Sequence, residues 1–284
     1  MTALDRYVVA GNPVAHSQSP FIHARFAEQT GQLLSYDRLL CPLHGFEQAL
    51  LEFAQNGGRG CNITMPFKAN AWRMAKRFSE RAGLAEACNV LRFDDDENWF
   101  ADNTDGVGLV RDIQLNAQRA LRGTRVLVLG AGGAATGALG PLLQARPAEL
   151  VLANRSVDKA QSLADRHAAF AAAHNVTLRA ASLFDCGSAF DIVINATASS
   201  LSHAPIPVKA DVLKPGALAL DMAYGSSALG YLNWAQAEGA VGRDGLGMLV
   251  EQAAEAFFVW RGVRPDTAPV LAALVQRFTE ANLT

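Results

Sequence analysis

Apolar and polar positions change period several times along the chain, and each change marks an element. Tyr7–Ala10 is a short apolar run closed by Gly11, Asn12 and Pro13, which predicts a strand ending in a turn. Ser19 stands before Pro20, the pattern of an N-cap followed by proline at the first helical position. Phe21, Ile22 and Phe26 follow at helical spacing, and Gly31 is a stop. A second strand–helix pair is predicted over Leu34–Leu40 and His44–Gln55, and a third strand over Cys61–Met65, ended by Pro66. Asn89–Phe93 and Trp99–Ala101 flank the acidic stretch 94–98 and read as an antiparallel hairpin with a solvated tip. Asp105–Ala120 is predicted as a helix leading into a new unit. Arg125–Leu129 (RVLVL) is apolar on both faces after its first residue, as in a strand buried within a parallel sheet. Glu149–Ala153, Asp191–Ala196 and Ala217–Met222 are further β-type runs, separated by helical stretches such as the alanine-rich Val157–Ala173. Gly245–Trp260 and Ala268–Glu280 close the chain as two amphipathic helices. Strands alternating with helices predict an α/β protein with right-handed βαβ units and a parallel sheet.

Composition narrows the function. The chain has 284 residues, enough for one large or two ordinary domains, with 50% hydrophobic and 18% charged residues and a net charge of −2. That balance argues against a nucleic-acid or membrane-surface binder. Val126–Leu143 carries no charge, but its glycines and proline read better as a strand, a tight turn and a helix start than as a membrane span. The opening residues lack the features of a signal peptide, and Cys41, Cys61, Cys88 and Cys186 show no CxxC spacing, so a cytoplasmic protein with reduced thiols is expected. The six histidines show no metal-ligand spacing, and no metal site is expected. No GxxxxGK[ST] loop or nucleophile elbow occurs.

The clearest local chemistry follows RVLVL. Gly130, Ala131, Gly132, Gly133, Ala134 and Ala135 fit G-x-G-x-x-A, the turn in which glycines let the backbone approach a pyrophosphate at a helix N-terminus. The next strand ends at Asn154-Arg155, where a carboxylate would otherwise hold a ribose 2′-hydroxyl. Arg155, with Lys159 on the same helix face, suits a 2′-phosphate instead, so NADP(H) is expected over NAD.

Small polar residues crowd the turns of the first hundred residues: Ser17 and Ser19 in HSQSP, Asn62, Thr64 and Lys68 in NITMPFK, Asn89 in ACNV, and Asp102–Asp105 in DNTDG. These are donors and acceptors suited to a polyhydroxylated acid. GNPVAHSQSPFIH, NITMPFK, DNTDGVG, GAGGAA, NATAS and DGLGMLVEQAA together resemble the shikimate dehydrogenase family, in order and from end to end.

That resemblance implies NADPH-dependent reduction of 3-dehydroshikimate to shikimate, a step towards the aromatic amino acids. It implies an N-terminal α/β substrate domain, residues 1–104 with 245–284, and a Rossmann-like NADP-binding domain with a parallel sheet, residues 105–244. Carried over by position, Ser17, Ser19 and Tyr224 would hold the substrate carboxylate. Asn62, Thr64, Asn89, Asp105 and Gln252 would bind the ring hydroxyls, and Lys68 and Asp105 would be the catalytic pair. Gly130–Ala134, Asn154, Arg155, Ser156, Lys159, Met222 and Gly245 would hold the cofactor. Ser156 and Lys159 stand where many members have Thr and Arg, which points to a weaker NADP preference, and Ala135 and Thr136 where members often have Ser and Arg, which would cost a contact to the cofactor. A protonated lysine would stabilise and protonate the developing alkoxide, with Asp105 orienting it. No nucleic-acid or membrane partner is implied, and the chain would be a monomer or homodimer. The competing readings are a quinate or dual quinate/shikimate dehydrogenase and a non-catalytic NADP-binding regulator. A cleft between two domains would close on its ligands.

Overall fold

The computed structural model describes residues 4–94, 98–200, 202 and 205–281. The tip of the acidic hairpin, 95–97, and His203, one of the six histidines, lie outside the described residues. The chain forms two compact units, one running to Gly108 and resuming at Val250, the other spanning Leu109–Leu249. The chain passes from one unit to the other within α5 (Asp105–Arg111) and again within α9 (Leu246–Arg261), rather than at their first residues.

The first unit is built on one six-stranded mixed sheet. Its strands are β1 (Asp5–Gly11), β2 (Leu34–Leu40), β3 (Gly58–Ile63), β4 (Arg77–Phe78), β5 (Val90–Phe93) and β6 (Trp99–Asp102), in the order β2-β1-β3-β5-β6-β4. β1 pairs in parallel with both β2 and β3, whereas β3–β5 and β5–β6 are antiparallel, the latter being the predicted hairpin. The helices of this unit are α1 (Ser19–Thr30), α2 (Phe46–Gln55), α3 (Lys68–Met74), α4 (Glu80–Ala85), the first part of α5, the second part of α9, and α10 (Ala268–Ala281). Val8, Ala10, Leu50, Phe53, Cys61, Ile63, Leu91 and Ala101 meet in one buried cluster. α3, α4 and β4 escape the sequence pattern because each is shorter than the window over which a period becomes visible.

The second unit carries a six-stranded, wholly parallel sheet. In chain order its strands are β7 (Arg125–Leu129), β8 (Glu149–Asn154), β9 (Thr177–Ser182), β10 (Phe190–Asn195), β11 (Leu213–Asp221) and β12 (Val241–Arg243). Their order in the sheet is β12-β11-β10-β7-β8-β9. Numbered by appearance this is 3-2-1-4-5-6 from the other edge, the doubly wound arrangement that binds dinucleotides where the order reverses, here between β7 and β10. RVLVL explains itself: Val126 and Val128 enter one buried cluster, Leu127 and Leu129 another, all at 1% exposure or less. Each such side chain contributes roughly 1.5–3 kcal/mol by burial. The crossover helices are α6 (Gly133–Gln144), α7 (Val157–Ala173) and α8 (Leu229–Ala237). β9 and β12 sit at the two edges; one is half polar and the other three residues long, which hid them in the sequence.

Two local expectations are corrected. Ser19 is not the N-cap of α1; Gln18 occupies that place without a side-chain cap, and Ser19 is a buried residue within the helix. The helix predicted over Asp105–Ala120 ends as α5 at Arg111 and continues as a single π-type turn, Asp112–Asn116. The buried Asp112 carboxylate receives both Arg243 Nε at 2.7 Å and Nη2 at 2.5 Å, and Asn116 Nδ2 at 2.9 Å. The wider turn is thus the one whose first residue carries this tertiary ion pair.

Candidate active site and cofactor site

In the first unit the predicted polar residues converge through backbone pairing. β3 places Asn62 on the sheet, buried, while Thr64 follows its end and continues the pairing by donating its N–H to Ala10 O at 2.9 Å. The Thr64 methyl rests where a side chain on Gly11 would have to go. Asn62 Nδ2 donates to the Asn89 carbonyl at 3.1 Å, and the Ile63 N–H donates to that same oxygen at 2.8 Å. The carboxamide of Asn89 reaches the other way. Its Nδ2 lies 2.8 Å from Asp105 Oδ1, 3.0 Å from Thr104 Oγ1 and 3.1 Å from Gln252 Oε1. Its Oδ1 accepts from the Thr104 N–H at 2.8 Å. Asn89 thus ties the DNTDG segment to α9.

Lys68 is the first residue of α3, and its ammonium donates to Asp105 Oδ2 at 2.5 Å, the two side chains being 24% and 10% exposed. A cation at a helix N-terminus is disfavoured by about 0.3–1 kcal/mol, so helix stability does not explain this placement. Asp105, at the start of α5, is on the favoured end of its own helix. An ammonium has three donors, so Lys68 keeps others for a ligand while one engages Asp105. Ser17 and Ser19 face each other, Oγ to Oγ at 3.2 Å.

A buried ion cluster underlies this constellation. Arg81 Nε and Nη2 donate to the two oxygens of Asp102 at 2.7 and 2.5 Å, and Nη2 also donates to Glu255 Oε1 at 3.0 Å. Ser79 Oγ, which caps α4 by accepting from the Ala82 N–H, donates to Asp102 at 2.5 Å. Arg264 donates to the other oxygen of Glu255 at 2.5 Å. The arginines hold the Glu255 carboxyl below the usual range against the opposing effect of burial. Asp102 precedes the Asn103–Asp105 turn, and Glu255 lies one helical turn beyond Gln252, so Arg81 clamps the two segments that carry Asp105 and Gln252.

Four thiols are free and buried. Burial pushes Cys41 up to about 11 and raises Cys61, Cys88 and Cys186 as well. Only the thiolate is reactive. Although Cys61 and Cys88 adjoin Asn62 and Asn89 in sequence, an aromatic disulfide reagent should label no cysteine of the native protein within minutes, and all four on unfolding; a fast-labelling native thiol would contradict their burial.

In the second unit the glycine turn does what its sequence suggested. Gly130 has φ +104°, a value open to glycine, and a side chain there would meet the Ala196 carbonyl at 3.0 Å, across the β7–β10 switch point. Gly132 and Gly133 are exposed with open space where a Cβ would stand, at the start of the twelve-residue α6. Ala131 and Ala134 are half-buried beside them. Asn154 Nδ2 donates to Ser156 O at 2.9 Å and fixes the β8–α7 corner. Arg155, Ser156 and Lys159 are exposed there, and neither cation has an ion-pair partner among the described residues. Gly245 packs against the Met222 carbonyl, where any side chain would clash, and its N–H donates to Ala223 O at 2.9 Å. Tyr224 also belongs to this unit, its phenol pushed up by burial. Sequence reading missed one feature: Asp221, at the end of β11, accepts from Asn195 Nδ2 at 3.0 Å and from Ser200 Oγ. Burial raises its carboxyl despite these bonds.

Three family models match the chain in sequence order. They are the shikimate dehydrogenase substrate-binding domain over residues 9–91, shikimate/quinate 5-dehydrogenase over 113–212, and the shikimate 5′-dehydrogenase C-terminal domain over 245–275. An NADP(+) shikimate dehydrogenase of Methylibium petroleiphilum is 61% identical over 278 residues, covering 96% of this chain and 94% of the relative. The chain belongs to the shikimate dehydrogenase family. Among solved structures, an Ael1 enzyme from Pseudomonas putida aligns with a TM-score of 0.87 at 48% identity, covering 95% of this chain and 98% of that one. A shikimate 5-dehydrogenase from Thermus thermophilus, in complex with NADP(H) and shikimate, aligns with a TM-score of 0.83 at 30% identity, covering 97% and 100%. Within this shikimate dehydrogenase fold, Tyr36 and Arg81 belong to the first unit's site region and lie outside the quoted motifs. Tyr36 meets Asn62 only because β1 separates β2 from β3 in the sheet, a register no local pattern encodes.

Proposed function

We propose that this chain catalyses the reversible NADPH-dependent reduction of 3-dehydroshikimate to shikimate, with Lys68 and Asp105 as the catalytic pair. The observation that carries the reading is the Lys68 ammonium held on Asp105 at 2.5 Å, with Asn89 bonded to the other oxygen of that carboxylate and to Gln252. The substrate is a polyhydroxylated ring acid. Ser17 and Ser19 supply paired hydroxyls for its carboxylate, and Asn62, Thr64, Asn89, Asp105 and Gln252 supply donors and acceptors for its ring oxygens. Tyr224, on the second unit, is assigned to the carboxylate by the family resemblance. The substrate domain, given by the resemblance as 1–104 with 245–284, corresponds to the first unit, and the NADP domain, given as 105–244, to the second.

Bound NADPH would supply the hydride. The Lys68 ammonium stabilises the negative charge that develops on the ketone oxygen and donates a proton to it. Asp105 fixes the direction of that ammonium and accepts a hydrogen bond from a neighbouring substrate hydroxyl. In the oxidation direction neutral Lys68 takes the hydroxyl proton. Asn89, fixed by its bonds to Thr104, keeps Asp105 and Gln252 in register, which holds the reacting geometry.

The residues of the second unit suit the cofactor. Gly132 and Gly133 leave the N-terminus of α6 open for a pyrophosphate. Asn154 shapes the corner on which Arg155, Ser156 and Lys159 meet a 2′-phosphate, and Met222 and Gly245 line the remainder. Lys159 pairs as a point charge, so Arg155 carries most of the discrimination. Arg155→Ala should raise the KM of NADP about tenfold or more and leave that of NAD nearly unchanged. Equal kcat/KM for the two cofactors in the wild-type enzyme would contradict the assignment. Among the described residues no helix is long and apolar enough to cross a membrane. The cytoplasm is assigned as the place of work on the biosynthetic role and on the four free thiols.

A further inference from the structure

The environment of Asn62 fixes which end of its carboxamide faces a ligand. The Asn89 backbone carbonyl can only accept, and Asn62 lies against it at 3.1 Å. The nitrogen of the carboxamide must therefore point that way. Its oxygen then faces Tyr36, 2.6 Å from the phenolic oxygen, which must be the donor. Burial pushes the Tyr36 phenol well above the usual tyrosine range, so it keeps that proton throughout the working pH range. The Tyr36 ring is itself held. It stacks on His23 with centroids 4.2 Å apart and planes 10° from parallel. His23 is fully buried, and burial pushes its imidazole down to about 3, so this plate stays uncharged. With the oxygen committed to Tyr36 and one N–H committed to Asn89, Asn62 is left with a single uncommitted N–H.

We propose that Tyr36 is a positioning residue for the dehydrogenase reaction: its hydroxyl locks the Asn62 carboxamide so that a donor, and not a carbonyl oxygen, is presented to a substrate ring oxygen. The inference rests on the proposed substrate role of Asn62. Without the hydroxyl, the amide oxygen loses its 2.6 Å donor and keeps only the neighbouring His23, whose neutral ring is a weaker partner. The group is then free to tilt away from Asn89, and the fraction of enzyme in the binding geometry falls. Tyr36 acts through Asn62 and has no step of its own.

Tyr36→Phe removes one oxygen and keeps the ring stacked on His23. The test compares wild type, Tyr36→Phe, Asn62→Ala and the double variant as full-length enzymes, reading kcat/KM for shikimate, the KM of NADP and the melting temperature. Tyr36→Phe should lower kcat/KM for shikimate about tenfold, mostly through KM, with the KM of NADP unchanged. In the Asn62→Ala background the same substitution should cost less than about twofold, because the group it orients is gone. Equal fractional losses in both backgrounds would overturn the proposal, as would a fully active Tyr36→Phe beside an impaired Asn62→Ala. A fully active Asn62→Ala would instead overturn the substrate role of Asn62, and the inference with it.

Discussion

Replacing Lys68 with alanine should lower kcat for shikimate oxidation by about 10²–10⁴-fold, with a smaller change in the KM of shikimate. Among the described residues the side chain is the one cation that directly contacts Asp105, and the proposed chemistry needs a group that gives up a proton as charge builds on oxygen. Binding of the ring acid depends on Ser17, Ser19, Asn62, Thr64 and Gln252, which the substitution leaves in place. The fold should persist, because Asp105 retains its 2.8 Å bond from Asn89 and lies at the favourable end of α5. Removing a cation from the N-terminus of α3 relieves an unfavourable interaction with that helix. Steady-state kinetics in both directions, beside a melting curve, checks this. A variant that keeps kcat within about twofold of wild type would remove Lys68 from the chemistry.

The second large effect is on stability. Arg81→Met should destabilise the first unit by roughly 3–5 kcal/mol, because it strands a carboxylate that cannot reach water. Asp102 is only 4% exposed, and the guanidinium is its only ion-pair partner among the described residues. Ser79 and the Asn103 N–H would remain as neutral donors, at 2.5 and 2.7 Å. Glu255 suffers less, since Arg264 still holds its other oxygen. The predicted signature is a melting temperature lowered by about 10 °C, substantially restored by the double variant Arg81→Met/Asp102→Asn, in which no buried charge is left unpaired. A single variant melting with the wild type would show that the cluster is solvated and contributes little. Because Asp102 leads into Asn103–Asp105 and Glu255 follows Gln252 by one helical turn, the single variant should also lose kcat/KM.

These two expectations differ in how far the sequence alone supports them. Lys68 and Asp105 stand in motifs, NITMPFK and DNTDG, so their pairing is legible from resemblance even though they are far apart in the chain. The β7 turn was legible from chemistry as well. RVLVL is apolar at every position after its first, as a strand covered on both faces must be, and Gly130 sits where φ is positive and the Ala196 carbonyl is close. Arg81 was not legible. Its partners Asp102 and Glu255 are 21 and 174 residues away, and an arginine near the start of a six-residue helix looks like any solvated charge. Tyr36 was hidden for a related reason. It lies on a half-exposed strand whose alternation predicts which face it occupies, but its meeting with Asn62 is set by strand order. Ser19 shows the converse error. A serine before a proline has the local signature of an N-cap, yet the helix starts earlier and the serine is buried against Ser17. Asp112 marks another limit: helix propensity runs through it, yet the α-helix stops before it, at a residue paired with Arg243, 131 positions away. Local signals therefore located most of the longer elements and the motif residues, whereas the side chains that hold them in register come from distant contacts.

The most direct test of the central claim is initial-rate oxidation of shikimate with NADP by the purified full-length enzyme, run beside quinate at equal concentration and followed by NADPH absorbance. The account predicts strong turnover of shikimate and at least about tenfold lower kcat/KM for quinate, since Ser17 and Ser19 are both present for the carboxylate of the flatter, unsaturated ring. Turnover of quinate equal to or above that of shikimate, or turnover of neither acid, would contradict it.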